Sequence, residues 1–388
     1  MYLRTTEELE TLIDRAHEVG RIGVDAEFIR ERTYFPKLAL VQLSVEDECV
    51  LLDPLGDVSL EPLDELIVDP GVTKILHAAS QDLEIFYYRS EQVPAAIFDT
   101  QIAAAMIGLG NQIAYGALVE RCLGISLAKG ESFTDWLRRP LTSKQEEYAL
   151  DDVRHLFDLH DALMTQLREL GREEWVAEEF RRYESLDYFV NDPNELYRKV
   201  KRFGTLDARG QAVLRELAMW REQDAMDRDK PRRAAVPDET MIEIARRRPK
   251  NHGALHEIRG CRAQTIRESG KAIAEAVQRG TAVPDEALPN EEKRKRLPAS
   301  ADLVADFLHA FLKSECQRAS ISSSMVGTAK DVQALVRAHV EKKPATRDNL
   351  ITGWRGELVG RKLEAFLDGK ISMRVDPQSL EPVFEERK

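Results

Sequence analysis

Residues 21–28 read RIGVDAEF, a run of strand-forming residues broken by two carboxylates, Asp25 and Glu27, and this stretch decides the fold. Ile22, Gly23, Val24 and Phe28 give it strand character, and the two-residue period of a strand turns both acids to one face. Charges on an otherwise apolar strand are costly unless paired or bound to metal. Acids that simply end a strand at solvent would leave the same local pattern. Downstream, LALVQLSV at 38–45 and CVLLD at 49–53 read as two further strands, reached through turns or a long hairpin connection. KILHAA at 74–79 reads as a fourth strand, with His77 inside it, leading into a helix that carries SQDLEIFYY. From Asp99 to Leu123, and from Ser143 to about Gly171, the pattern turns helical. The expected unit is an α/β domain with a mixed central sheet.

Beyond it, residues 173–206 mix charge and aromatics and are expected to link or pack against the first domain, with a turn or helix start at Asn191-Asp192-Pro193. Residues 208–280 read as several helices, and a second helical group covers 301–317, 328–339 and 354–368. Both groups run from a long helix through a short one and a glycine-containing turn, LHEIRGCRAQTIRESG in the first and LITGWRGELVGRKLEAFL in the second, to a closing helix. This is a weak internal repeat. The expected divisions are 1–170 (α/β), 171–207 (linking), 208–289 and 290–375 (two small all-helical domains) and a tail at 376–388, with NEEKRKRLP at 290–298 as the second linker.

A chain of 388 residues, 43% hydrophobic, has room for two or three cores. Its net charge of −12 is unevenly spread: residues 1–160 hold 14 Lys/Arg against 29 Asp/Glu, while 228–300 hold 17 against 11. An acidic segment handles phosphates when clustered carboxylates hold cations, and a basic segment gathers a polyanion by its field. Cys49, Cys122, Cys261 and Cys316 stand far apart without a Cys-x-x-Cys pair, which suits buried thiols in a reducing compartment. The opening MYLRTTEELE lacks a signal-peptide core, and no stretch of about 18 apolar residues follows, so a soluble cytoplasmic protein without a membrane partner is expected. Gly108-Leu109-Gly110 lacks the rest of a dinucleotide fingerprint and ESGKAI at 268–273 lacks the upstream glycine of a phosphate-binding loop; no nucleophilic triad can be assigned from spacing.

Asp82 falls just past a strand end at the start of a helix, where α/β domains expose their sites, although a plain first-turn aspartate fits there too. Tyr148 and Asp152 in EYALDDVRHL are one helical turn apart and share a face, which leaves Asp151 the solvent-facing neighbour; Tyr148 is equally a packed aromatic by this criterion. Four carboxylates converging at strand ends would need compensating charge, and hard oxygen ligands suit Mg²⁺ or Mn²⁺. Two such ions about 4 Å apart activate water and stabilise a leaving 3′ oxygen.

At these residues the chain resembles the ribonuclease D family of 3′–5′ exonucleases. VDAEF at 24–28, HAASQDLEIF at 77–86 and YALDD at 148–152 match its three motifs, the last in the tyrosine form, and FDTQIAA at 98–104 and TDWLRRPLTSKQ at 134–145 look like the family as well. Residues 231–277 look like the small helical (HRDC) domain shared with RecQ-type helicases, and 301–368 resemble a divergent second copy. The resemblance implies a ribonuclease H-like catalytic fold. It implies that Asp25, Glu27 and Asp152 hold one metal, that Asp25 helps hold a second, that Asp82 acts mainly through water, and that Tyr148 positions the attacking water. It further implies hydrolysis of RNA from a free 3′ end to nucleoside 5′-monophosphates, tRNA precursors being the expected substrate; the domain count suffices for a monomer, which is the expected state. Phe28, Gln42, His77 and Trp136 are candidate substrate neighbours, with core packing competing for Phe28 and Trp136 and a structural role favoured for His77. Arg232, Arg233, Arg246, Arg247, Arg248, Lys250 and Arg262 are candidate phosphate contacts, with a solvated basic face as the plain alternative. Single-stranded DNA is the rival substrate, because phosphodiester cleavage does not itself need a 2′-hydroxyl, and a catalytically inactive binding scaffold is the rival class.

Overall fold

The computed structural model describes residues 1–127, 134–289, 297–343, 350–378 and 382–386. One six-stranded mixed sheet forms the centre of the N-terminal half. Its strands are β1 (Tyr2–Leu3), β2 (Arg21–Ile29), β3 (Lys37–Val45), β4 (Glu48–Leu52), β5 (Thr73–Leu76) and β6 (Ile97–Asp99), in the spatial order β1-β4-β3-β2-β5-β6. β2, β3 and β4 run antiparallel as a meander, while β5 and β6 continue parallel to β2. The sheet with its flanking helices has the mixed architecture of the ribonuclease H-like core that the resemblance implies. Every residue of β3 after Lys37 is buried, as suits a near-continuous apolar run covered on both faces.

The helices of this unit are α1 (Thr6–Val19), α2 (Glu61–Val68), α3 (Ser80–Ser90), α4 (Thr100–Met106), α5 (Tyr115–Leu123), α6 (Ser143–Arg154), α7 (Leu156–Glu169) and α8 (Glu173–Phe180). Two of them matter most for the site. α6 starts with a capping box: Thr142 Oγ1 accepts from Gln145 N (3.3 Å) and Gln145 Oε1 accepts from Thr142 N (2.9 Å). It packs across β2, β3 and β4 and stops at His155, so the helical pattern of 143–171 is two helices rather than one. α3 follows a tight turn instead of a long strand. β5 ends at Leu76, which puts His77 in the turn, and Ala78 takes a left-handed conformation (φ 58°) costing an alanine about 1–2 kcal/mol. The buried Asp99 carboxylate offsets that cost by accepting from Ala78 N (3.1 Å) and Ala79 N (3.0 Å).

The linking segment is divided between two cores. Val176, Phe180, Tyr183 and Phe189 belong to the core of the α/β unit, while Leu196, Tyr197, Val200 and Leu206 belong to that of the first helical group. This second core is closed by helices Ala208–Asp227, Asp238–Arg247 and Ala263–Ala282. The C-terminal group has helices Ala299–Arg318, Ala329–Glu341 and Arg361–Leu367, and its apolar residues, among them Leu308, Phe311, Trp354 and Leu363, are continuous with the α/β core. Arg172 donates to the carbonyls of Met106 (2.5 Å) and Ser320 (2.9 Å), and Glu179 accepts from Trp354 Nε1 (3.1 Å) and Arg355 Nη1 (2.7 Å), which staples that junction. The end of the chain differs from the expected all-helical domain and tail. Ile371–Val375 and Pro382–Glu386 pair as an antiparallel hairpin, anchored by Phe384 against Phe311 with ring centroids 4.0 Å apart. Of the expected linker 290–298, residues 290–296 lie outside the described residues.

Candidate active site

Asp25 and Glu27 stand on one face of β2, Asp82 in the first turn of α3, and Tyr148 and Asp152 one turn apart on α6. Asp25, Glu27 and Asp152 each bring a carboxylate oxygen within 4.8 Å of the other two, a spacing able to hold a metal ion. Asp82 is not part of that trio, but it is buried close enough for Asp25 and Glu27 to act on its charge. α3 and α6 thus add Asp82 and Asp152 to the two acids of β2.

The electrostatics record the crowding. Burial pushes the Asp25 carboxyl up to about 6, against a lowering hydrogen bond from the Ala26 amide. Burial and then the Asp25 charge push Glu27 up to about 8. Asp152 is pushed up to about 9 by burial, Asp25 and Glu27, while the Tyr148 phenol beside it acts in the opposite direction. Asp82 is raised well above the carboxylate range by burial first and then by Asp25, Glu27 and Asp99. The Tyr148 phenol itself is raised, by burial and then by Asp152, Glu27 and Asp25. Among the described residues no lysine or arginine forms an ion pair with any of the four acids. Divalent cations and hard oxygen donors suit such a cluster, so the residues present fit the expected metal.

Asp151 departs from the solvent-facing role expected of it: its side chain is only 16% exposed and pairs with Arg154. Gln42 is fully buried and presents no surface to a substrate, and Trp136 packs with Leu40, Leu51, Leu141 and Ala149. Phe28 is half-buried against the main core. Both ring nitrogens of His77 are engaged, Nδ1 with Thr100 Oγ1 (2.8 Å) and Nε2 with the Ile113 carbonyl (3.0 Å). The arginines at 246–248 are committed locally. Arg246 and Arg247 share Glu243, and Arg248 binds Asp207, so a run of three cations in the sequence is largely neutralised in the fold.

Other residues emerged only from the structure. Asp99 and Tyr183, whose hydroxyl donates to Asp99 Oδ2 (2.9 Å), brace the turn that carries Asp82. Tyr115 accepts from His155 N (3.2 Å), and its phenol is raised by burial and by the charges of Asp152 and Asp25. Where β2 ends, a cavity of about 570 Å³ opens between the α/β unit and the first helical group, lined by Arg30, Lys199, Lys201, Arg221, Arg232 and Arg233 among others. Arg30 is tied to Glu84, Arg221 to Asp238 and Arg232 to Glu222. Arg232 and Arg233 stand out in the sequence; Arg30, Lys199 and Lys201 join them only through the fold.

Comparison with known proteins adds the decisive observation. Residues 1–168 match the 3′-5′ exonuclease family and residues 210–277 the HRDC domain family. Ribonuclease D of Gluconacetobacter diazotrophicus is 37% identical over 376 residues, covering 96% of this chain and 94% of that protein. The chain belongs to the ribonuclease D family. Ribonuclease D of Zymomonas mobilis is 33% identical over 95% of this chain and 94% of its own length. The crystal structure of Escherichia coli RNase D, an exoribonuclease involved in structured RNA processing, superposes with a TM-score of 0.83 at 31% identity, covering 95% of this chain and 98% of that one. The chain is thus a metal-dependent 3′–5′ exoribonuclease of the ribonuclease D type, built on an acidic cluster that suits metal. No helix among the described residues is long and apolar enough to cross a membrane.

Proposed function

We propose that Asp25, Glu27, Asp152 and, at longer range, Asp82 hold two Mg²⁺ or Mn²⁺ ions for removal of nucleoside 5′-monophosphates from the 3′ end of RNA, tRNA precursors included. The observation that carries this reading is the meeting of three uncompensated carboxylates within 4.8 Å of one another. When bound, such ions lower the pKa of water and stabilise charge on a leaving oxygen. The protein's own part is to release protons from carboxyls held up to about 8 at Glu27 and about 9 at Asp152, so that occupancy rises with pH. Tyr148, with its hydroxyl beside Asp152, holds the attacking water in line with the terminal phosphodiester. Lys201 and Arg233, on the wall of the interdomain cavity, guide the strand by its phosphates.

The reducing setting in which this monomeric enzyme acts is the cytoplasm, in keeping with four free cysteines, of which Cys316 is buried and the others half-buried. The test is a time course with end-labelled RNA and matched single-stranded DNA, each with a free 3′ end, with EDTA, Mg²⁺ or Mn²⁺. Metal-dependent stepwise shortening of the RNA with release of 5′-monophosphates is expected. Equal or faster shortening of the DNA would remove the RNA assignment, and absence of product with every metal would remove the mechanism.

A further inference from the structure

Gln42 lies in the middle of β3 with 0% exposure, and neither its Oε1 nor its Nε2 has a hydrogen-bond partner. Among the described residues it is the one buried amide with both polar atoms unpartnered. Such a group costs the fold the desolvation of a donor and an acceptor, and a polar residue at that position calls for a reason.

The register supplies one. Gln42 is directly opposite Asp25 in the antiparallel pair of β3 with β2, so the two side chains stand on the same face a few ångströms apart. On its other side Gln42 is opposite Leu51 of β4, and on its own strand the same face carries Leu40 and Ser44. Leu40 and Leu51 are apolar, and the Ser44 hydroxyl donates to the Val153 carbonyl (3.0 Å). The polar side chain that the register places directly beside the amide is that of Asp25. A glutamine held dry beside Asp25, with a free donor and a free acceptor, has the chemistry to orient a metal-binding carboxylate or its water shell.

We propose that Gln42 is a positioning residue of the metal centre: with the ions bound, its Nε2–H donates to the Asp25 carboxylate and fixes its orientation toward them. The proposal rests on the reading of Asp25 as a metal ligand. It concerns a residue that touches neither RNA nor the reacting phosphodiester, so its effect passes through ion affinity.

The experiment compares the full-length wild type with Gln42→Met and Gln42→Leu in two measurements: Mn²⁺ binding followed by the paramagnetic resonance of the free ion, and thermal unfolding in EDTA. Both substitutions replace the amide with an apolar side chain of similar reach. Unfolding in EDTA at or above the wild-type temperature is expected, because no bond is lost, together with a 10- to 100-fold weaker Mn²⁺ affinity. Wild-type Mn²⁺ affinity in a folded variant would overturn the proposal. So would a clear fall in unfolding temperature in EDTA for both variants, since that would mean the amide is already bonded within the metal-free fold. The wild type separates the two readings: if it binds no Mn²⁺, the metal site itself fails, whereas binding unaffected by the substitutions fails Gln42 alone.

Discussion

Asp25→Asn tests the crowding of carboxylates directly, because Asp25 contributes to the upward shift of Glu27, Asp152 and Asp82. A carboxyl whose pKa is raised by folding binds more protons folded than unfolded, so stability falls as pH rises from the ordinary value to the raised one. For Glu27, raised from 4.5 to about 8, this costs the metal-free protein roughly 3 kcal/mol at pH 7. Asp152, raised from 3.8 to about 9, extends the loss to higher pH. Each pKa unit that Asp25 contributes is worth about 1.4 kcal/mol, so removing its charge should return roughly 1–3 kcal/mol near pH 8 and nothing near pH 4. The assay is thermal unfolding in EDTA from pH 4 to 9, repeated with Mn²⁺. In EDTA the variant should unfold above the wild type at pH 8 and level with it at pH 4. With Mn²⁺ only the wild type should gain stability, and the variant should not shorten end-labelled RNA. Parallel wild-type and variant curves across the whole pH range would refute the claim that these acids share one field, and normal hydrolysis would remove Asp25 from the mechanism.

Tyr148→Phe keeps the ring that packs near Trp136 (centroids 6.1 Å apart) and deletes the hydroxyl; single-turnover hydrolysis should slow by about 10²-fold with RNA affinity little changed, and an unchanged rate would exclude the role. The double substitution Lys201→Ala, Arg233→Ala should flatten the salt dependence of single-stranded RNA binding by about 1.4 in log–log slope if each meets a phosphate. Neutralising Arg246, Arg247 and Arg248 should flatten it less, because Glu243 and Asp207 already hold them; a larger effect from that triple would reverse the assignment. Arg355→Ala leaves the Glu179 carboxylate buried beside Trp354, and the unfolding free energy should fall by about 3–5 kcal/mol. A fall within error in denaturant titration would show that the junction is not held there.

What the sequence made legible were features with a short period. Asp25 and Glu27 stand two positions apart and Tyr148 and Asp152 four, and both spacings survive into the fold because strands and helices repeat at those intervals. β1 and β6, of two and three residues, are too short to carry a period and exist only because neighbouring strands pair with them. The turn at Ala78 was hidden because an alanine ordinarily signals nothing about left-handed backbone; what holds it there is a carboxylate 21 residues away. The arginines at 246–248 divide in this respect. Glu243, which holds Arg246 and Arg247, lies one turn back on their own helix and is within reach of a sequence reading, whereas the pairing of Arg248 with Asp207, 41 residues distant, is tertiary. Gln42 is the subtlest case, since a glutamine within LALVQLSV fits a strand's solvent face as well as a buried site, and only complete enclosure separates the two.

The two helical groups relate to the nuclease differently, and the difference follows from what lies between them and it. The C-terminal group shares an apolar core with the α/β unit, with Trp354 stacked on Trp175 (5.2 Å) and Arg172 spanning two carbonyl sites, so displacing it would expose hydrocarbon as well as break bonds. The first group has its own core and meets the nuclease through polar contacts: Asp229 Oδ1 accepts from Tyr34 N and Phe35 N (both 3.0 Å), and Tyr34 donates to Glu222 Oε1 (2.6 Å) under the Arg232 guanidinium. Water can replace such hydrogen bonds at little net cost, whereas it cannot replace a shared core. The seam lined by Arg30, Lys201 and Arg233 is therefore the weaker of the two junctions, and the C-terminal group is the one built onto the unit that carries Asp25 and Glu27.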